Sequence, residues 1–397
     1  MAGRRLPGAG WNSRPPAIID PTVACSEAAA GADAPDCPEG AHMVKQHDRP
    51  TLATVAERAG VSIKTASRVL NGEKHVASTT AAKVETAAEE LGFRLNSAAR
   101  RLREGSRSPY IGVVLSDMGD PLQVRILARL EHDLADRGLR PVVTVTGGDP
   151  DIERSFVDDC LGGDMSGICV VCSQPESADL YARVPGQAAS AKPGEVGVVS
   201  LDPAVAGPGI TTIAADDVAA GRRAAEQLVR HGHISIGVIG DRSLIESQAR
   251  RFAGIREVLA GRGDIGWRAY LETGAHDQSS AKNVVAALLG SRAAPTALIT
   301  LSATVTMGAI DASRRLDQWP AVVGIDDFPG ADLLDVTVVD PDVDAMSAEA
   351  VRVLTGDHRR SSGTGSIPLL TSANGLTPVR LIRRGSGEES PRQVAAR

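Results

Sequence analysis

The chain predicts a two-part fold: an N-terminal all-α helix-turn-helix headpiece followed by an α/β body of two parallel sheets flanked by helices. Three observations predict it. Between Thr51 and Asn71, two short helical patterns are broken by a single glycine. From Tyr110 onward, apolar runs of strand length alternate with stretches of helix length, the pattern of parallel sheets covered on both faces. Charge is also unevenly divided. The 397 residues carry a formal −6, yet Lys45 to Arg107 hold twelve Lys+Arg against seven Asp+Glu, a local +5 that leaves −11 for the rest. A basic module on an acidic body is the asymmetry of a DNA reader joined to a sensor.

Residues 1–48 are rich in Ala, Gly and Pro without periodicity and read as a disordered extension, with Met43 a second candidate start beside Met1. In the headpiece, 49–95, Leu52, Val55, Ala56 and Ala59 fall at i, i+3, i+4 and i+7, the stripe of an amphipathic helix. Gly60 supplies a tight turn and Ser62 is placed to cap the second helix, whose inward stripe is Ala66, Val69 and Leu70. A third helix has Ser78 or Thr79 as its expected cap, Val84, Ala87, Ala88 and Leu91 as its stripe and Gly92 as its stop. Residues 96–108 read as a short basic helix and a linker.

A helix-turn-helix presents the start of its second helix to base edges in the major groove. Ile63, Lys64 and Arg68 point away from the inward stripe and are the candidates for base contact. Isoleucine can meet a thymine methyl, while lysine and arginine can donate to guanine O6 and N7. Thr65, Ser67 and Asn71 are placed for phosphates, which position without specifying.

In the body, 109–386, strand-like runs fall at 111–115, 142–145, 168–171, 196–201, 234–239, 297–301 and 322–325. Helical stretches at 121–137, 217–231, 243–260, 279–290 and 304–316 separate them. Two such sets suit two side-by-side lobes with a cleft between them, where ligands bind outside the carboxyl ends of the strands. Residues 387–397 read as a flexible tail.

Several function classes are disfavoured. No apolar run of about eighteen residues is present, so no transmembrane helix is expected. The basic start is followed by prolines and glycines instead of an apolar segment, so no secretory signal is expected either. A cytoplasmic, nucleoid-associated protein is the expectation. Cys169 and Cys172 have the spacing of a redox or zinc pair, but they lie in an apolar run without a second pair and read as buried strand cysteines. No phosphate loop, nucleophile elbow or His-Glu-x-x-His pair is present. Asp326-Asp327 reads as a loop cap or ligand clamp, and His231 and His233 as turn residues. No catalysis, cofactor or metal is expected.

The headpiece resembles that of the LacI/GalR family of bacterial transcription regulators. The residues that carry the likeness are Val55-Ala56, Ala59-Gly60-Val61-Ser62, Thr65 and Ser67-Arg68-Val69-Leu70-Asn71-Gly72. Sparser signposts continue at Ala220-Gly221-Arg222, Gly232-His233-Ile234, Arg251-Phe252-Ala253-Gly254, Pro295-Thr296-Ala297 and Val323-Gly324-Ile325-Asp326-Asp327. The resemblance implies a periplasmic-binding-protein-like body whose chain crosses between lobes more than once. The expected lobes are 109–232 with 327–341, and 233–326 with 342–386.

The resemblance also implies a homodimer that binds a pseudo-palindromic double-stranded DNA operator, and by default represses. Residues 96–103 become a hinge helix capped by Asn96, in which Leu102 wedges into the minor groove with Ala99 as its close-packed neighbour. Leu95 stands where the family usually has proline. The small polar effector, a sugar derivative foremost, would lie between the lobes near Asp120, Arg251, His276 and Asp326. Ser302-Ala303 replace the family's usual ligand-gripping aspartate, and Leu122 and Gln123 replace its aromatics. Two alternatives stay open: a DNA-binding regulator whose body dimerises without a ligand, and a solute-binding protein that never touches DNA.

Overall fold

The computed structural model describes residues 50–72, 76–94, 108–162, 165–173, 177–184, 197–207, 209–240, 246–270, 275, 277–356 and 376–394. The chain divides into two compact units between Leu95 and Asn96. The expected extension 1–48, the hinge residues Asn96, Ala99 and Leu102, and His276 lie outside the described residues.

The first unit is three helices, α1 (Leu52–Ala59), α2 (Ile63–Leu70) and α3 (Ser78–Glu90). Thr51 and Thr54 cap α1 reciprocally, and the chain leaves it through Gly60 at φ 67°, a left-handed turn that costs glycine nothing. Ser62 caps α2 as the sequence leads one to expect, its hydroxyl accepting from Thr65 N at 3.1 Å. The core joins Val55, Ala56, Ala66, Val69, Val84, Ala87 and Ala88. These small side chains let three short helices pack closely. The third cap is a correction. Ser78 is already helical, and the cap residue is Ala77, which has no side-chain bond to offer.

The second unit holds two sheets. The first is wholly parallel, in the order β2-β1-β3-β4-β5: β1 (Tyr110–Leu115), β2 (Arg140–Val145), β3 (Gly167–Val170), β4 (Gly197–Ser200) and β5 (Ile210–Thr212). Its helices are α4 (Pro121–Ala135), α5 (Pro150–Gly162) and α6 (Ala178–Ala182). The second sheet contains β6 (Ser235–Ile239), β7 (Gly266–Tyr270), β8 (Ala297–Thr300), β9 (Ala321–Ile325), β10 (Thr337–Pro341) and β11 (Val379–Ile382), in the order β11-β10-β9-β8-β6-β7. Only its edge strand β11 runs antiparallel. With it go α7 (Asp217–Arg230), α8 (Glu246–Leu259), α9 (Gln278–Leu289), α10 (Ala303–Leu316) and, near the end, α12 (Pro391–Val394). Each sheet buries an apolar layer on both faces.

The lobe boundaries differ from expectation. The chain leaves the first lobe near Ala215, so α7 packs in the second lobe, where Ala220, Ala224, Ala225 and Leu228 join its core. Residues 327–341 do not return to the first lobe; β10 pairs with β9 and β11. The element that returns is α11 (Val343–Thr355), whose Val343, Met346, Ala350, Val351 and Leu354 pack with Ile126, Leu130 and Leu134 of α4. Where the chain first crosses, Ala215 runs beside Thr377, with Thr377 N donating to Ala214 O at 2.8 Å and Asp216 N to Thr377 O at 2.9 Å.

The start of the expected tail, 387–397, is also corrected. Next to Ser386, whose Oγ donates to Val322 O at 2.6 Å, Glu388 accepts from Thr337 Oγ1 at 2.7 Å and Glu389 O pairs with His233 Nε2 at 2.7 Å. Its first residues are polar because they satisfy the end of the second sheet.

Two glycines set the distance between α7 and α8. A Cβ on Gly221 would lie 1.8 Å from Arg251 O, and one on Gly254 would lie 1.9 Å from Val218 O. Only glycine permits these backbones to touch, and the contact brings Arg251 against the first turn of α7.

Candidate functional site

On the first unit, the residues expected to read DNA lie on α2. Ile63 is 55% exposed, and Lys64 beside it is exposed too. Arg68 is half-buried and is not free, since it already has an interaction within the protein. Thr65 and Ser62 share a hydrogen bond at 2.8 Å, and Asn71 Nδ2 donates to Ser67 Oγ at 3.2 Å. The Asn71 amide oxygen is buried with no partner among the described residues. Arg58 of α1 forks onto Glu90 of α3, an exposed pair that orients helices more than it stabilises them.

In the second unit a cavity of about 220 Å³ opens between the lobes, at the carboxyl ends of strands in both sheets. It brings together Asp120, Arg251 and Asp326, three of the four expected ligand residues; the fourth, His276, is not among the described residues. Asp120 caps α4, accepting from Leu122 N at 2.9 Å and from Gln123 Nε2 at 3.2 Å. Buried Gln123, read from the sequence only as the replacement of an aromatic, is a loop organiser. Its Oε1 accepts from Ser116 N at 2.9 Å and Asp117 N at 3.2 Å.

Arg251 is only 5% exposed, and its fork is largely committed within its own lobe. Nε donates to Asp217 at 2.8 Å, Nη1 to Leu301 O at 2.7 Å and to Asp326 at 2.6 Å, and Nη2 to Asp326 at 3.0 Å. Burial opposes its charge, but the two carboxylates more than offset this and hold the guanidinium protonated. Burial pushes Asp326 up to about 7 against the pull of Arg251. Asp326 also sits at φ 68°, a left-handed backbone uncommon outside glycine, which aims its carboxylate at the guanidinium.

Asp327, its neighbour, turns elsewhere and takes both Nη atoms of Arg384 at 2.8 and 2.7 Å. The adjacent carboxylates therefore serve two different arginines and form no acid–base pair.

Sequence reasoning missed Asp202 and Asp217. Asp202 follows β4 and holds the loop, accepting from Ser173 N and Ala204 N at 2.9 Å each. Its place at a strand end is the signal that could have found it. Asp217 gave none, because its role depends on how α8 packs. Cys169 is buried in β3, while Cys172 lies just past the strand on the cleft wall. Among the described residues no cluster could hold a metal ion, and no helix is long and apolar enough to cross a membrane.

A helix-turn-helix unit and a bilobal α/β body with an interlobe cleft lined by acidic and aliphatic side chains define the class of regulators that join a DNA-reading headpiece to a solute-binding domain. Residues 51–96 match the model of bacterial regulatory proteins of the lacI family, and residues 111–333 match that of a periplasmic binding protein domain. The maltose regulon regulatory protein MalI of Escherichia coli K12 is 27% identical over 278 residues, 70% of this chain and 79% of its own. The transcriptional regulator GalS of Salmonella typhimurium is 26% identical over 286 residues, 70% of this chain and 81% of its own. A crystal structure of the lac repressor dimer bound to operator and the anti-inducer ONPF superposes with a TM-score of 0.67 at 24% identity, covering 86% of this chain and all of that one. The chain belongs to the LacI family of DNA-binding transcriptional regulators.

Proposed function

We propose that this regulator acts as a homodimer on a pseudo-palindromic operator in the cytoplasm, at the nucleoid, and that a small polar metabolite bound between its lobes alters operator affinity. The observation that carries the reading is the pairing of an exposed Ile63-Lys64 face at the start of α2 with a cavity lined by both lobes. Ile63, Lys64 and Arg68 read base edges, and Thr65, Ser67 and Asn71 hold phosphates. Asn96, Ala99 and Leu102 form the hinge, whose wedge bends the duplex. Asp120, Arg251, His276 and Asp326 are the residues that meet the effector. Its binding biases lobe closure and so hinge order. Repression is the default outcome. In this reading the segments 49–95, 96–108 and 109–386 are headpiece, hinge and sensor.

The test is selection of bound duplexes from a random pool, followed by a thermal-shift screen of sugars, sugar phosphates and nucleobases. A two-fold symmetric consensus and at least one hit that shifts operator affinity support the reading. Binding without sequence preference contradicts it. A second reading, a body that dimerises without a ligand, is favoured by one observation: four donor contacts of Arg251 are satisfied inside the protein. A screen with no hit would establish it.

A further inference from the structure

The interlobe cleft is electrically one-sided. Among the described residues, seven Asp and Glu side chains line it against one cation, Arg251. That cation is neutralised locally, since it bridges Asp217 and Asp326 within the second lobe, and of the seven acids Glu246 is already paired with Arg250 at 3.0 Å. Asp202 of the first lobe is only 9% exposed, and its hydrogen bonds come from neutral groups, with no cation partner among the described residues. A buried carboxylate without a counter-charge is costly, so an ion pair completed by a ligand there would be favoured.

The acids also face one another across the gap. Burial raises Asp326 of the second lobe most, and repulsion from Asp120 of the first lobe adds to it. Burial likewise raises Asp202 of the first lobe, and repulsion from Asp217 of the second adds to it. On the second lobe two carboxylates share one guanidinium, which leaves that wall net negative against Asp120 and Asp202 of the first lobe. A cation placed between the lobes is attracted to both walls, whereas an anion is repelled by both. The apolar part of the wall is aliphatic, with Leu122, Ile126, Leu201 and Met346, and among the described residues no Phe, Tyr or Trp offers a ring to stack on.

We propose that the cleft takes a small, hydroxylated, non-aromatic ligand bearing a protonated amine, and turns away phosphorylated and carboxylated compounds. The inference rests on the reading of the body as a sensor and names the chemistry of what it senses. The amine lies between Asp120 and Asp202 on one lobe and the Asp217–Asp326 side of the other, and the hydroxyls meet the remaining acceptors of the loops.

The test uses the full chain and matched triplets that differ in one substituent: amine, hydroxyl or phosphate on each of several hexoses, pentoses and linear polyols, glucosamine, glucose and glucose 6-phosphate among them. Isothermal titration at neutral pH is expected to show the amine of at least one triplet binding about tenfold tighter than its hydroxyl parent, with the phosphate not binding. The preference should shrink as salt rises from about 50 to about 500 mM. It should also shrink in Asp120→Asn, which keeps an N-cap residue and removes only the charge, and in Asp202→Asn. A hydroxyl parent that binds as tightly as its amine, or a phosphate that binds at all, overturns the proposal while leaving the sensor reading intact. No binding by any member of any triplet overturns both.

Discussion

Arg125 of α4 and Asp340 of β10 clasp the two lobes together, Nη1 to Oδ1 and Nη2 to Oδ2, each at 2.8 Å. Asp340 is 1% exposed and Arg125 about a third exposed, so the pair spans from the interlobe seam to its rim. Nη1 also donates to Asp327 O at 3.0 Å, and Asp340 Oδ1 accepts from Asp327 N at 2.9 Å. The clasp thus ties the first lobe to the turn that begins with Asp326, on the floor of the cleft. Lobe movement and cleft chemistry share one hydrogen-bonded unit.

Removing Arg125 leaves the buried Asp340 carboxylate without its counter-charge, held among the described residues only by Asp327 N. Arg125→Met should destabilise the body by about 3 kcal/mol, near the lower end for a broken buried pair because the rim is wet. Arg125→Met with Asp340→Asn should cost clearly less than the sum of the single variants. Urea unfolding of the four proteins checks the cycle, and additive losses would show that the residues do not interact.

The glycine contact between α7 and α8 makes a steric prediction. Gly221→Ala and Gly254→Ala each force the helices apart, at about 1–3 kcal/mol. Gly261→Ala, where nothing lies within 4 Å of the added Cβ, should have little effect. Thermal melts of the three variants separate these outcomes.

Arg251 is a keystone of the second lobe as well as part of the cleft wall. Arg251→Ala strands Asp217 and Asp326 in the interior, and should destabilise by about 3–5 kcal/mol. Asp326→Asn keeps one acceptor for the guanidinium and should cost less. A lowered melting temperature that added ligand does not restore is the expected result for Arg251→Ala. Unchanged stability would show that the network contributes nothing to folding.

The thiols give a pH prediction. Burial pushes Cys160 and Cys169 up to about 12 from the ordinary 9.0, so neither should be alkylated at pH 8 in the folded protein, and both should be after denaturation. The sign for stability follows. The folded state holds these protons more tightly, so their contribution is complete below pH 9.0 and is lost as pH rises from there toward about 12. Iodoacetamide labelling read by peptide mass spectrometry checks the first part, and stability measured from pH 8 to pH 10 checks the second.

The headpiece was legible because its signals are local: Thr51 to Asn71 fix stripe, turn and cap within a few residues of one another. The alternating strands and helices of the body were legible for the same reason. Lobe membership was not. Val343, Met346, Ala350 and Leu354 make a stripe that suits either sheet, and only tertiary packing sends it to α4. The sequence reading likewise placed Arg251 in the cleft but could not show that Asp217 and Leu301 would take its donors, because those contacts join residues 34 and 50 positions away. The polar stretch after Arg384 looked loose because its partners, Val322, Thr337 and His233, are remote in sequence.

The most direct test of the central claim, that α2 reads DNA by sequence, is a fluorescence anisotropy titration of the full chain against its selected operator and a scrambled duplex at one fixed salt concentration. The account predicts operator binding at least about a thousandfold tighter than scrambled binding. It also predicts that Arg68→Ala costs about 1–3 kcal/mol on the operator while relaxing the preference at one base position. Equal affinity for both duplexes, or an Arg68→Ala loss that is the same on both, would contradict it.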